Sequence, residues 1–230
     1  DWSSDVCSSD LIITGGASGI GAGAARRLAN RMHVVIADRN IDGAKAFAAE
    51  LVAAGHEASA VEVDVSNKAS VLGMVEWMHK NVGDIDALFA NAGFNRRAPV
   101  DEITQEDWDA MMATHVKGVF LCNQAVIPGM LARGKGAIVN MSRSMAITYG
   151  REGVRSNVVA PGFVDTPMVA SVTPVFQDQA VAMSLTPMGR PAAPSEIASA
   201  NLFFASEDAS YCNGSLLLVD GGCTARSFPG

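Results

Sequence analysis

The sequence predicts one α/β domain: a doubly wound parallel sheet of about seven strands, spanning residues 11–230. Two observations carry this. Short β-branched or apolar runs alternate with longer Ala-rich helical patterns, the signature of repeated strand–helix–strand units. Glycine and proline gather at the ends of the runs, where an open α/β sheet forms its ligand crevice. At 230 residues and 49% hydrophobic content, the chain can bury one sizeable core.

In order, the first strand is LIIT (11–14), followed by a helix over 19–30, the strand HVVIA (33–37) and a helix over 42–54. The strand ASAVEV (58–63), a helix over 68–81 and the strand DALFA (86–90) continue the alternation. A long helix near 105–132 leads to the strand GAIVNM (136–141), and RSNVVA (155–160) follows after an unusually short connection. The stretch 161–191 is irregular and contains proline, a helix lies near 195–206, and SLLLVD (215–220) closes the sheet. No internal repeat, low-complexity segment or linker suggests a second domain.

The first eleven residues, DWSSDVCSSDL, resemble codon by codon the frame translation of a common sequencing adapter. Residues 1–10 are therefore expected to be a non-native tail that packs loosely and is set apart from fold reasoning. The formal net charge is −7, and Lys and Arg are not clustered, which argues against a nucleic-acid partner. No apolar run reaches the ~18 residues of a membrane span. Four scattered cysteines show neither a disulfide framework nor metal-ligand spacing, and a cytoplasmic setting is expected.

TGGASGIG follows the first strand and opens a helix, the context that a phosphate-binding turn requires. Gly15, Gly19 and Gly21 let the backbone turn tightly and approach a pyrophosphate, while the helix N-terminus offers free N–H donors. Asp38 ends the second strand seventeen residues beyond Gly21, where a carboxylate would accept ribose hydroxyls. Such a carboxylate repels a 2′-phosphate, so NAD is the expected cofactor, with adjacent Arg39 softening the preference.

Together with DVS (64–66), NAG (91–93), PGFVDT (161–166) and VDGG (219–222), these motifs resemble the short-chain dehydrogenase/reductase family, a Rossmann-type fold. The resemblance covers residues 11 to about 225. It implies that Ser18, Gly19, Ile20 and Gly21 line the pyrophosphate, and that Asp64 and Val65 contact the adenine. Asn91, Ala92 and Gly93 would floor the ribose, and Pro161, Gly162, Val164 and Thr166 would hold the nicotinamide end. It further implies a small alcohol or carbonyl substrate and a homo-oligomer.

The chain departs from the family at its chemistry. Family members place a Ser and a Tyr-x-x-x-Lys pair beside the reacting carbon, because a phenol of ordinary pKa ~10 needs a neighbouring cation to exchange protons near neutrality. Here Tyr149 is followed four residues on by Gly153 and Tyr211 by Ser215, and no Lys follows Lys135. Against the family pattern, roughly 25 residues between the fifth and sixth strands are missing, with most of the crossover helix. Ser142 then neighbours the lost catalytic Ser, and Arg143 takes its place. His115 stands where the family has an Asn that holds a relay water; a hydrogen-bonded core residue is the favoured reading over a water-binding one. Ser142 and His115 are the remaining catalytic candidates, and Tyr149 is expected to pack at a helix end.

The twelve residues from Ser142 to Gly153 suffice for a parallel crossover if 143–149 form two helical turns rising about 10 Å. Met111, Val119, Val126 or similar positions on the long helix are expected to lose cover, weakening any oligomer. Three descriptions remain open: a truncated oxidoreductase retaining its cofactor site, a working NAD-dependent alcohol or carbonyl oxidoreductase whose gap entered through sequencing or assembly, or a non-enzymatic nucleotide-binding or scaffold protein.

Overall fold

The computed structural model describes residues 9–96, 101–139, 143–170 and 186–225, with backbone only at 143–145 and 169–170. Within them β1 (Asp10–Thr14), β2 (His33–Asp38), β3 (Ala58–Glu62) and β4 (Ala87–Ala90) alternate with α1 (Gly19–Leu28), α2 (Ile41–Ala53) and α3 (Lys68–Asn81). Next come α4 (Gln105–Met112), a π-helical turn at Ala113–Gly118, α5 (Val119–Arg133), β5 (Gly136–Val139) and α6 (Arg143–Tyr149). The chain finishes with β6 (Val154–Pro161), α7 (Pro167–Ala170), α8 (Pro194–Ala205) and β7 (Leu216–Val219).

The seven strands form one sheet in the order β3-β2-β1-β4-β5-β6-β7, and every neighbouring pair is parallel. Strands buried on both faces need no polar alternation, which is why β1, β2 and β4 read as unbroken apolar runs. Leu11 and Ile13 face one core with α1, α2 and α8, while Ile12 faces a second core with α3 and α5. Between β1 and β4 the order of winding reverses. A crevice must open there, above the C-terminal ends of the strands.

The crossover from β5 to β6 is as short as the sequence implies. Residues 143–149 form α6, a 3₁₀ turn covers Gly150–Glu152, and Gly153 takes a positive φ of 81°. A Cβ on Gly153 would collide with the carbonyl of Gly134, so only glycine fits this return. Asn213 clamps the short segment: its Nδ2 donates to the Ala146 carbonyl (3.0 Å) and its Oδ1 accepts from Ser156 N (2.9 Å). Tyr149 packs against the second core, as expected for a helix-end residue.

One expectation needs correction. Val126 is buried against the second core, and Met111 and Val119 are partly covered. The residues left exposed are Trp108, Met112, Val116 and Phe120, spaced four apart along α4 and α5. The exposed positions lie on the helix face turned away from the sheet, whereas Val126 belongs to the sheet-facing side. The first strand, β1, begins at Asp10. Asp10 N donates to Asp86 Oδ2 (3.1 Å), Asp86 N donates to the Asp10 carbonyl (3.0 Å), and the Asp10 carboxylate lies 3.4 Å from His33 Nδ1.

Burial is the chief cause of a raised Asp10 pKa; attraction to His33 opposes it, and Asp86 and Glu57 reinforce it. An acid whose folded pKa is raised favours folding while neutral, and that contribution is lost as pH rises through the raised value. Asp10→Asn is therefore expected to leave the melting temperature at neutral pH unchanged or higher, with the difference vanishing near pH 4, about the ordinary Asp value. Calorimetry across that range checks it; a lower melting temperature at neutral pH would show that the His33 pair outweighs desolvation.

Candidate cofactor cleft and active site

A cleft of about 410 Å³ lies above the C-terminal ends of β1, β2 and β4. Gly15, Ser18, Gly19 and Ile20 form one wall, Asp38 and Arg39 one end, and Asp64 and Val65 an adjoining edge. Asn91, Ala92 and Gly93 provide the floor, and Thr166 lies near the far end. Val63, Phe94, Thr114, His115, Pro167 and Met168 complete the lining.

The floor is built on Thr14, a residue the sequence reading quoted without assigning. Its buried hydroxyl oxygen accepts from Asn91 N (3.0 Å) and Ala92 N (3.1 Å), tying the ends of β1 and β4 together at the point where the sheet reverses. Asn91 returns the tie, with its Nδ2 donating to the carbonyls of Thr14 (3.1 Å) and Gly15 (3.2 Å). Gly15 has φ 66° and lies so close to Ala92 that a Cβ would sit 2.8 Å from its Cα. Gly21 does not line the cleft; a Cβ there would strike the Gly15 carbonyl, so its role is to let α1 approach the turn.

The N-terminus of α1 differs from those of α2, α3 and α4. Asn40, Asn67 and Thr104 cap those helices by accepting from Gly43 N, from Ala69 N and Ser70 N, and from Asp107 N. Ser18 makes no such side-chain bond, and the first turn of α1 carries no acidic residue. Its leading N–H groups keep their donor capacity and positive dipole end beside the cleft.

Asp38 is held in place by two backbone donors. Ala17 N bonds Oδ2 (3.1 Å) and Asn40 N bonds Oδ1 (2.9 Å), so the carboxylate steadies the glycine turn and retains lone pairs for the cleft. Arg39, exposed, lines the cleft beside it. Asp64 is partly occupied by its own turn, with Oδ1 accepting from Ser66 N (3.0 Å) and Ser66 Oγ (2.7 Å).

Of the residues assigned to the far end, Thr166 lines the cleft and three do not. Val164 is buried and pairs in a β-bridge with Ala192. Gly162 packs against Asp220, whose Cα a Cβ there would meet at 2.6 Å, and Pro161 ends β6. These three shape the turn that presents Thr166. The Asp220 carboxyl is held below its usual range chiefly by the Thr224 hydroxyl, at 2.6 Å, and by Thr224 N.

His115 is exposed and lines the cleft, which corrects the core-residue reading. It sits within the π-helical turn, and its Nε2 lies 2.6 Å from the Phe94 carbonyl, the geometry of an Nε2–H donor. Its ring abuts Gly93, where a Cβ would come within 2.6 Å of Cε1. The hydrogen bond foreseen for it is present; burial is not. Ser142 lies outside the described residues. Among the described residues no Tyr or Lys lines the cleft, and no cluster of metal-ligating side chains occurs.

Residues 10–144 match the family model described as short chain dehydrogenase, and 134–224 match one described as Enoyl-(Acyl carrier protein) reductase. The chain belongs to the short-chain dehydrogenase/reductase family. It is 38% identical to cis-4-hydroxycyclohexanecarboxylate dehydrogenase of Sinomonas cyclohexanicum over 240 residues, covering 93% of this chain and 96% of that one. It is 33% identical to gluconate 5-dehydrogenase of Gluconobacter oxydans, with 93% of each chain covered. The crystal structure of a Burkholderia cenocepacia gluconate 5-dehydrogenase in complex with NADP and tartrate superposes with a TM-score of 0.88 at 33% identity, covering 95% of this chain and 96% of that one.

Membership in this family of NAD(P)-dependent oxidoreductases accounts for the cleft's composition. Thr14→Val tests its foundation, because the substitution keeps the shape and removes the acceptor from two backbone donors. An unsatisfied buried donor costs about 1–3 kcal/mol, and both donors here are half-buried, so a loss of roughly 2 kcal/mol in denaturant unfolding is expected, with Thr14→Ser retaining most of the stability. Equal stability of the Val variant would show that the β1–β4 tie carries no weight.

Proposed function

We propose that this chain binds NAD(H) in the cleft and lacks the acid/base group that its family uses to interconvert alcohols and carbonyls. The carrying observation is the pairing of a furnished cofactor cleft with a shortened β5–β6 crossover and no described Tyr or Lys in the cleft lining.

The residues present fit a dinucleotide. The uncapped N-terminus of α1 and the positive-φ turn at Gly15 suit a pyrophosphate, and Asp38 is aimed by Ala17 N and Asn40 N to accept ribose hydroxyls. Its charge disfavours a 2′-phosphate, so NAD is preferred over NADP, and Arg39 narrows the margin. When bound, the nicotinamide gives or takes a hydride. The protein's own share would be to orient it from Thr166 and to manage a proton at the substrate oxygen. His115 Nε2–H is engaged by the Phe94 carbonyl, which leaves no assigned donor for that oxygen.

Two features support an internal loss of about 25 residues. The alignment to the Sinomonas enzyme spans 240 positions yet uses 93% of 230 residues, about 214, so about 26 positions lack a counterpart here. The alignment to the Gluconobacter enzyme, over 239 positions at 93%, leaves about 25. The match to the first family model also stops at Ser144, inside the short crossover. The intact form would oxidise a small secondary alcohol or reduce its ketone, as the names of both relatives suggest, in the cytoplasm. The adapter-like tail at residues 1–10 supports a sequencing origin for the loss.

The test combines binding with turnover. NADH is expected to bind more tightly than NADPH by calorimetry, and Asp38→Ala should erase the difference. NADH oxidation over a broad carbonyl panel should be about 10²- to 10⁴-fold slower than in a variant carrying a family-like Ser and Tyr-x-x-x-Lys segment between Ser142 and Arg143. Comparable rates, abolished in the original by His115→Ala or Tyr149→Phe, would overturn the proposal.

A further inference from the structure

Thr166 reaches the cleft on a turn beyond the end of β6. One side of that turn hangs from β7, where Gly162 N donates to the Val219 carbonyl (3.1 Å). The other side is fastened to Ala192. Ala192 N donates to the Phe163 carbonyl (2.9 Å) and the Ala192 carbonyl accepts from Asp165 N (2.9 Å), so a single residue brackets Val164 and fixes the step before Thr166.

Ala192 is enclosed in turn by a side-chain clamp. Arg190 grips Glu196 with both prongs, Nη1 to Oε2 (2.7 Å) and Nη2 to Oε1 (2.8 Å), and its Nη1 also donates to the Pro191 carbonyl (3.1 Å). Glu196 Oε2 accepts from Ala193 N (2.8 Å), which closes the first turn of α8. A lone ion pair at the surface contributes little, whereas a forked pair backed by main-chain bonds fixes geometry. The Glu196 carboxyl is held down at about 2, chiefly by its hydrogen bonding with Arg190 and then by Ala193 N, so the pair stays charged through the neutral range.

The clamp is footed on α1. A Cβ on Gly23 would come within 2.6 Å of the Pro194 Cβ, so the start of α8 touches the helix whose N-terminus faces the cleft. Thr166 closes the circuit, because a Cβ on Gly19 would lie 3.7 Å from its Cβ and Cγ2.

We propose, resting on the NAD(H) reading of the cleft, that Arg190 and Glu196 are positioning residues for the nicotinamide end, setting through Ala192 where Thr166 stands relative to the glycine turn of α1. Pyrophosphate and nicotinamide are joined in one ligand, so the protein groups that meet them must keep a fixed separation. A clamp tied to α1 on one side and to the Thr166 turn on the other holds that separation. Its loss would release the nicotinamide end and leave the rest of the dinucleotide site intact.

Calorimetric titration with NADH and with ADP-ribose, which lacks the nicotinamide, tests this, with thermal unfolding to verify each variant. The unmodified chain is expected to bind NADH more tightly than ADP-ribose. Arg190→Met should weaken NADH about tenfold and ADP-ribose less than about twofold. Arg190→Lys, which keeps the charge and loses the fork, should fall between, and it carries the same comparison if the Met variant does not fold. Thr166→Val should reproduce the NADH loss, and adding Arg190→Met to it should cost nothing further, because both act on one contact. Equal losses for the two ligands would show a clamp that serves stability alone and would overturn the proposal. So would NADH affinity untouched by both Arg190 variants, losses that add in the double variant, or an unmodified chain that binds the two ligands equally. Binding of neither ligand by the unmodified chain would overturn the NAD(H) reading itself, and this inference with it.

Discussion

A parallel strand can follow its neighbour only after the chain has climbed back along the sheet, and the returning segment ordinarily covers the face it crosses. In this molecule that constraint is met at its lower limit between β5 and β6. Two helical turns and a 3₁₀ turn make the climb, Gly153 makes the corner against the Gly134 carbonyl, and Asn213 holds the segment down. The connection is satisfied and the covering is not. Leu216 and Leu218 stand exposed on β7, beside the strand that this crossover reaches, and no Tyr or Lys occurs in the described cleft lining.

The cofactor half stands apart from this. Its geometry is set where β1 and β4 diverge, by Thr14 and Asn91 bonding each other's backbone, and by Asp38 reaching back to Ala17 N. None of these contacts involves the crossover. A chain with this short connection therefore retains a furnished cleft.

Much of this was legible in the sequence because it rests on backbone demands that leave residue signatures. Positive φ at Gly15 and Gly19 needs glycine, strands buried twice read as apolar runs, and a carboxylate at a strand end marks Asp38. The two turns of α6 were legible from length alone. Tertiary partners were less so. Whether Val164 lines the cleft or pairs with Ala192 depends on which side of a turn it occupies, and no local pattern encodes that. His115 is a residue of either interior or cleft, and its exposure follows from a π-helical turn that periodicity does not reveal. Thr14 was visible only as the last letter of a strand. Phe94, Thr114 and Met168 reach the cleft from segments with no motif of their own.

Energetics explain why the uncovered face matters to the whole molecule. At about 25 cal/mol per Å², leaving roughly 200 Å² of Leu216 and Leu218 in water forgoes about 5 kcal/mol, against a typical net stability of 5–15 kcal/mol. The deficit falls on β6 and β7, whereas β1, β2 and β4 are buried on both sides by two separate cores. Stability is therefore uneven along the sheet, highest at the glycine turn and Asp38 and lowest at the β7 edge. Anything that covers the edge stabilises the weakest unit first. Dinucleotide binding, acting at the other end, consolidates strands that already hold together.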